Sequence, residues 1–321
     1  MPRITTELSF ADRLGTCKAR WGIGRMEYMV PPGLYAVGTP TPDDPVVVTA
    51  NYKMSYDMVR SSLAGHNTWL LVLETFGINV WCAAGKGTFG TDELEKRVDS
   101  VGLATVVNHR CLLLPILGAP GVAAHEVQKR TGFTVRYATI RAMDLPSYLD
   151  NDMVTTPEMQ ELTFTLRERL VLIPVELVLA LKSIGLIGGT IFLAAFLMGG
   201  EAAGTKAIIA WLGAVFAGIV VGPLLLPWLP GRSFAIKGGI AGLGWSFVWY
   251  LLAGGAAWSV PVSLAAFLAL PAVSAFYTLN FTGCSTYTSR SGVKKEMRLA
   301  LPAMGAVLVV SLVLVLAGRF L

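Results

Sequence analysis

The spacing of apolar positions changes character near residue 183. Before it, short apolar runs alternate with amphipathic stretches. The runs "GLYAVG" (33–38) and "VVVTAN" (46–51) are bounded by Pro, Gly and Asp and predict strands. Residues 54–63 predict a helix, and "TWLLVLET" (68–75) and "INVW" (78–81) predict strands. Thr91 suits a helix N-cap, with Asp92 and Glu93 at the positive end of the dipole and Leu94, Val98 and Val101 on one face. "ATVVNH" (104–109) predicts a strand, "GVAAHEVQKRTG" (121–132) a helix closed by Gly132, and "FTVRYATI" (133–140) a strand. "MDLPSYLDN" (143–151) opens a last helical segment. This alternation implies an α/β, Rossmann-like domain over residues 1–165: a mainly parallel sheet with helices on both faces. Such folds bind ligands at the carboxyl ends of their strands, where this reading puts Cys82.

From residue 183 onward the apolar stretches reach the roughly 20 residues that cross a bilayer. Five are read: Ser183–Met198, Ala207–Trp228, Phe234–Leu252, Val260–Phe281 and Leu299–Ala317. The expected second domain is therefore an all-α transmembrane domain of five helices over 183–321. Residues 166–182 would form an amphipathic connector. Frequent glycines suit close helix packing in lipid, and Trp228, Trp245, Trp249 and Trp258 suggest an aromatic belt near the span ends.

Charge divides the same way. Residues 1–170 carry 17 Lys and Arg against 18 Asp and Glu, and residues 171–321 carry 9 against 3. The net charge of +5 thus belongs to the apolar half and reflects topology; no nucleic-acid-binding stripe is present. The N-terminus has no apolar core of a signal peptide. Cys17, Cys82, Cys111 and Cys284 form no CxxC pair, which argues against a disulfide framework, a zinc site or a local iron–sulfur motif.

The candidate chemistry lies in "GINVWCAAGKGTFG" (77–90). Gly85-Lys86-Gly87-Thr88-Phe89-Gly90 fits GxGxxG, but a dinucleotide site also wants an acidic residue at the end of the next strand, and "VVNHR" supplies none. A P-loop fails on spacing: position 80 is Val, and Gly87 follows Lys86. A cysteine nucleophile would need a base, for which His109 and His125 are the candidates. A buried structural cysteine is the plain alternative. A further option is a large planar cofactor such as a corrin, for which alanines and glycines leave a flat bed and a soft thiolate suits an electron-rich metal. The D-x-H-x-x-G pattern of histidine-ligated cobalamin domains is absent.

Asn79 to Lys86, "NVWCAAGK", resembles at every position the cap-helix motif of the mercury-methylating corrinoid membrane proteins of anaerobic bacteria and archaea. "PPGLYAVGTPTPDDPVVVTANYK", "HRCLLLPILGAPGVAAHEV", "DLPSYL" and "FTGCSTYTSRSGVKKEM" are also similar to that family, so the resemblance extends over nearly the whole chain from Pro31. Related in turn are the corrinoid iron–sulfur proteins of acetyl-CoA synthesis, which share the first domain and lack the spans.

The resemblance implies a corrinoid-dependent methyltransferase that passes a methyl group from base-off methylcobalamin to inorganic Hg(II). By position it implies Cys82 as the lower axial ligand of cobalt, with Asn79, Val80, Trp81, Ala83, Ala84, Gly85, Lys86, Gly87 and Thr88 around the corrin. Gly118 and Gly121 are candidates for contact with the corrin side chains or nucleotide phosphate. Hg(II) is an electrophile, so the methyl must leave with its bonding pair, which a donating thiolate favours. Renewed methylation then needs a reductant, for which the family implies a small ferredoxin with two [4Fe-4S] clusters. It also needs a methyltetrahydrofolate-linked methyl donor system. A handling role for Cys284 toward Hg(II) is a further expectation. A non-enzymatic corrinoid methyl carrier, like the acetyl-CoA relatives, remains the alternative.

Positive loops mark the cytoplasmic side. Arg232 and Lys237 follow the second expected span, and Arg290, Lys294, Lys295 and Arg298 precede the fifth. The expectation is a multi-pass protein of the cytoplasmic (inner) membrane with the N-terminal domain inside and the C-terminus outside. Reporter fusions in intact cells check it: a fusion in the 282–298 loop should behave as cytoplasmic and one at the C-terminus as external. A cytoplasmic C-terminus would break the five-span reading.

Overall fold

The computed structural model describes residues 1–285 and 288–318, and the side chains of Cys284 and Arg290 are not among those described. The expectation for Cys284 therefore lies outside the described residues. The chain divides into two compact units, Met1–Leu162 and Thr163–Leu321.

The first unit is built on six strands: β1 (Arg3–Ile4), β2 (Gly33–Val37), β3 (Val46–Ala50), β4 (Thr68–Leu73), β5 (Cys111–Leu114) and β6 (Thr134–Tyr137). They lie in the order β1-β2-β4-β3-β5-β6, with β2–β4 antiparallel and every other pairing parallel. The helices are α1 (Phe10–Arg20), α2 (Lys53–Ser62), α3 (Val80–Lys86), α4 (Thr91–Ser100), α5 (Leu103–Val106), α6 (Ala124–Thr131) and α7 (Leu145–Asp150).

Strand periodicity feeds two cores. Leu71 and Leu73 of β4 pack with Ala83, Leu94, Leu103 and Val127 on one face. Leu70 and Val72 pack with Tyr56 and Val59 of α2, and with Leu63 just after it, on the other. Connections leaving β3 and β4 thus run to opposite faces, and the crevice between them opens at the carboxyl ends.

Two expected strands are helices. Residues 78–81 do not continue the sheet: β4 ends at Leu73, Phe76 and Gly77 take positive φ (55° and 70°), and Asn79 caps a helix. "ATVVNH" gives α5, entered through Gly102 at φ 59°, and the strand starts later, at Cys111. Asn108 and His109 instead tie this loop to the β2–β3 connection: the Asn108 amide donates to Asp43 (2.8 Å), and His109 Nε2 lies 2.9 Å from the Asp44 carbonyl. Thr91 is the first helical residue of α4 rather than its cap, and its hydroxyl accepts from the Ala123 N–H (2.9 Å).

Before Gly33 the structure shows β1 and α1, which the strand-and-helix pattern did not indicate. Ser9 and Asp12 form a capping box at the start of α1. Asp12 also meets Lys53, and accepts from Arg60 Nη2 at 2.8 Å. Arg60 is buried, bonds Asp57 at 2.7 Å, and donates to the carbonyls of Thr5 and Glu7. These charges fasten the N-terminal segment to α2.

In the second unit, four helices among the described residues are long and apolar enough to cross a membrane: Leu166–Leu225, Phe234–Leu252, Val260–Gly283 and Ser291–Ala317. They comprise α8 (Leu166–Phe216), continued through a π turn into α9 (Gly222–Leu225), then α10 (Phe234–Leu252), α11 (Val260–Asn280) and α12 (Arg290–Ala317). Residues 166–182 are the opening turns of α8, capped by Thr165 and Glu168, and not a separate connector. Inside α8, Gly199 and Gly200 leave helical geometry, with Gly200 at φ 75°. A Cβ on Gly188 would meet Ile208 and Trp211 within about 3 Å, so the two sides of this break lie against each other.

Small residues sit at the helix contacts: a Cβ on Gly242 would fall 2.7 Å from Pro271 Cα. Two of the four tryptophans expected in a belt lie inside the packing. Trp245 covers Gly213 and donates to the Ala210 carbonyl (3.0 Å), and Trp249 is buried in the same cluster.

Burial alone would raise the Asp12 carboxyl; hydrogen bonds from Lys53 and Ser9 and the Lys53 charge outweigh it and hold the carboxyl well below the usual range. Stability from such a group is full above its ordinary value of about 4 and is lost as pH falls toward its folded value. Acid titration by circular dichroism should therefore show little change from neutral pH down to about pH 4, and loss of this lock below it. Asp57→Ala leaves the buried Arg60 short of a carboxylate and should cost about 3 kcal/mol in a urea titration.

Candidate functional site

The short helix α3 follows the carboxyl end of β4 and packs beside the 3-10 segment Ile116–Gly121 that follows β5. One buried side chain sets its entry. The Asn51 carboxamide, at the end of β3, accepts from the backbone N–H of Thr75 (3.0 Å) and donates to Glu74 (2.6 Å). Thr75 Oγ1 stands 2.9 Å from the same Asn51 oxygen and 2.7 Å from the Ile78 carbonyl. Glu93 of α4 accepts from the Glu74 N–H (2.9 Å) and pairs with Arg97 at 2.7 Å. The Asn79 side chain then accepts from the Cys82 N–H (2.9 Å), which starts the helix.

The helix has two faces. Val80, Ala83 and Ala84 are buried in the core and face the sheet. They pack under α3 and do not form an open bed, contrary to the expectation that Ala83 and Ala84 leave room for a ring. The outer side carries half-buried Asn79, Trp81 and Cys82, then exposed Gly85, Lys86 and Gly87. A Cβ at Gly85 or Gly87 would meet nothing within 4 Å, so a flat, open surface adjoins Cys82. Gly87 ends the helix at φ 84°, and Thr88 N–H returns to the Ala83 carbonyl (3.0 Å).

Gly118 and Gly121 serve this helix from below. A Cβ on Gly118 would stand 2.6 Å from the Phe89 ring, and one on Gly121 would stand 2.1 Å from the Phe89 carbonyl and 2.9 Å from Ala84 Cα. Their role is close backbone approach.

Sequence reasoning missed Asn51, whose signal is only a polar residue ending an apolar run. It also missed the segment after α1. A Cβ on Gly77 would meet the Met26 carbonyl at 2.8 Å and the Met29 side chain at about 3 Å, so this segment abuts the turn before α3. Arg25 lies over the Tyr52 ring (5.8 Å) and contributes positive charge at Cys82. An open groove of about 560 Å³ runs along Met26, Met29, Asn51, Glu74 and Phe76 at the carboxyl ends of β3 and β4.

The geometry narrows the chemistry. The glycines of the GxGxxG match lie in and after α3, not between a strand and a helix, so they form no dinucleotide turn. His109 stands before β5, at the amino end of the parallel strands, opposite to the edge that carries Cys82. His125 is exposed beside Glu126. What remains at the open face, among the described residues, is the Cys82 thiol beside the side-chain-free positions Gly85 and Gly87, with the exposed Lys86 between them.

That arrangement belongs to an α/β unit whose carboxyl edge presents a helix-borne cysteine, and comparison with known proteins locates it further. Residues 24–148 match the family model described as CO dehydrogenase/acetyl-CoA synthase delta subunit. The gamma subunit of the acetyl-CoA decarbonylase/synthase complex of Methanopyrus kandleri is 31% identical over 125 residues, 38% of this chain and 27% of that protein. The corresponding subunit of Archaeoglobus fulgidus is 32% identical over 130 residues, 40% and 27% of the two chains. Gamma subunit 1 of Methanosarcina mazei is 36% identical over 126 residues, 37% and 26%. The chain thus matches about a quarter of the length of these curated relatives, and the family match at residues 24–148 lies within the first unit.

Burial pushes the Cys82 thiol up from its ordinary value, and the charges of Lys86 and Arg25 and the hydrogen bond with Asn79 draw it part of the way back. Alkylation of cofactor-free protein, followed by peptide mass spectrometry, should be slower at Cys82 than at exposed Cys17 at neutral pH and should accelerate as pH rises. Lys86→Gln removes a favourable charge and should move the Cys82 midpoint higher still. Faster labelling of Cys82 than of Cys17 at pH 7 would contradict this.

Proposed function

We propose that the chain is a membrane-tethered corrinoid protein that carries and transfers methyl groups. The observation that supports it most directly is the half-buried Cys82 on the outer face of α3 beside the open surface at Gly85 and Gly87. The residues present fit a corrinoid: a soft donor, Cys82, beside open space at Gly85 and Gly87. When bound, a corrinoid supplies a cobalt-borne methyl group that can pass to an acceptor.

The protein groups would act around it. Cys82 would hold the cobalt through its sulfur once its proton is lost. Lys86 and Arg25 favour that ionisation against the cost of burial. Asn79 fixes the backbone of Cys82, and Asn51 fixes the turn before it. Trp81 lies on the same helix and Thr88 just beyond its end. The second unit's apolar helices support insertion in the cytoplasmic membrane as a multi-pass anchor, with the five-span topology as the working arrangement.

Similarity to acetyl-CoA decarbonylase/synthase gamma subunits favours the carrier role, in which the methyl group moves between proteins. The Asn79–Lys86 resemblance favours Hg(II) as acceptor, because a donating thiolate assists release of the methyl group with its electron pair to an electrophile. Either role calls for a methyl donor system linked to methyltetrahydrofolate. Transfer to Hg(II), in which the methyl group leaves with its electron pair, also calls for a low-potential reductant such as a ferredoxin with two [4Fe-4S] clusters.

Anaerobic optical spectra of the cobalamin-loaded full chain, recorded before and after Hg(II), test the site and the acceptor together. Cys82→Ala should change the spectrum and remove most methyl transfer while the fold persists, and Cys82→His should retain a ligand with lower activity. Gly85→Phe should block cobalamin binding by filling the open face. An unchanged spectrum and rate in Cys82→Ala would overturn the site. A cysteine-dependent spectrum without methylmercury formation would leave the carrier role and remove Hg(II).

A further inference from the structure

The foot of α12 carries an unbalanced group of cations at one end of the helical unit. Several contacts gather that end. Phe164, just before α8, meets Phe281, just after α11, with ring centroids 6.1 Å apart. Arg169 of α8 lies over Trp228 at 5.5 Å. Glu296 of α12 accepts from Ser233 Oγ (2.7 Å) and from the Ala235 N–H (2.8 Å) at the start of α10. The Glu296 contacts bring Arg232 beside the first turns of α12.

Lys294, Lys295 and Arg298 are exposed on those turns, and Arg232 and Arg167 are exposed at the same end. Among the described residues none of these five forms an ion pair. The nearby carboxylates are engaged elsewhere: Glu296 caps α10, and Glu168 closes the capping box of α8. Lys237 turns inward to the Leu226 carbonyl and adds a further cation.

The apolar surface beyond them says what covers this site. Leu299 follows Arg298 and is 68% exposed, and Leu308, Val309, Leu312 and Val313 continue the exposed surface. In the most apolar stretch of α12 only 11% is buried, against 50% in Val260–Gly283. A water-soluble anion would satisfy the cations and leave this surface bare. A lipid covers both, with its headgroup at the basic turns and its acyl chains along the helix.

We propose that Lys294, Lys295 and Arg298, with Arg232 beside them, form a binding site for an anionic glycerophospholipid at the foot of α12. The inference rests on the membrane reading of the second unit. The ligand is held by attraction of its phosphate to unpaired cations and by burial of its chains against the exposed face.

The test uses the full chain in nanodiscs of phosphatidylcholine doped with phosphatidylglycerol, with retained lipid counted by native mass spectrometry. The expected result is preferential retention of phosphatidylglycerol, reduced about tenfold or more in the Lys294→Gln/Lys295→Gln/Arg298→Gln variant. Lys206→Gln, in the α8 segment beyond the Gly199–Gly200 break, should leave retention unchanged. Equal retention of the two lipids, or an unaffected triple variant, would overturn the proposal. So would full displacement by glycerol 3-phosphate, which would make the ligand a free phosphate ester, or a dimer that covers α12 and retains no lipid. Release of the chain from liposomes by alkaline carbonate is a different failure, because it would remove the membrane reading itself.

Discussion

The Asn51 carboxamide is 2% exposed, ends the central strand of the sheet, and holds the neighbouring turn by its backbone. Much of the carboxyl edge depends on this contact. A buried amide that lost these partners would face the desolvation cost of unsatisfied donors and acceptors, so the turn has one favourable path. That path takes the chain through Phe76 and Gly77 at positive φ and delivers Asn79 in the extended geometry of an N-cap. Glu74 and Glu93 then link the turn to α4. Cys82 inherits its place from this sequence of contacts and not from a strand.

The underside of α3 imposes a second condition. Ala83 and Ala84 on the helix and Gly118 and Gly121 on the facing segment allow backbone to approach backbone, while Phe89 fills the space beside them. Larger side chains there would lift the helix and tilt its outer face. Small residues in "CAAGKG" thus do two different jobs. The alanines set the depth of the helix against the sheet, and Gly85 and Gly87 keep its outer surface clear. The thiol is in turn half-buried, which favours its neutral form, while two nearby cations favour the thiolate.

The helical unit follows a different logic. Its helices are apolar on nearly all sides, so packing in it is decided by small residues and by the shape of aromatic ones. Gly213 accepts the Trp245 ring, and Gly242 admits α11 to close range. The charges are confined largely to one end, where Glu296 joins α12 to α10 and the remaining cations face outward. α12, with little of its surface buried, is the helix most open to its surroundings.

Periodicity in the sequence was enough to place β2, β3, β4, β6, α2, α4 and α6 and the change to long apolar helices, because alternation and helical spacing are local properties of side-chain direction. The resemblance of Asn79–Lys86 to a cap helix pointed to the helical form of that stretch, whereas the residues read alone pointed to a strand. Ile78, Val80 and Trp81 have β propensity, and nothing local shows that Asn51, 28 residues before Asn79, has already ended the strand. "ATVVNH" failed for the same reason: its β-branched residues are turned aside by ties from Asn108 and His109 to Asp43 and Asp44. The fastening of α1 through Asp12, the approach of Arg25 to Cys82 and the inward face of Ala83 and Ala84 all join residues distant in the chain. Such pairings are chosen by which buried polar groups and close contacts can be satisfied together, and only the folded chain decides that.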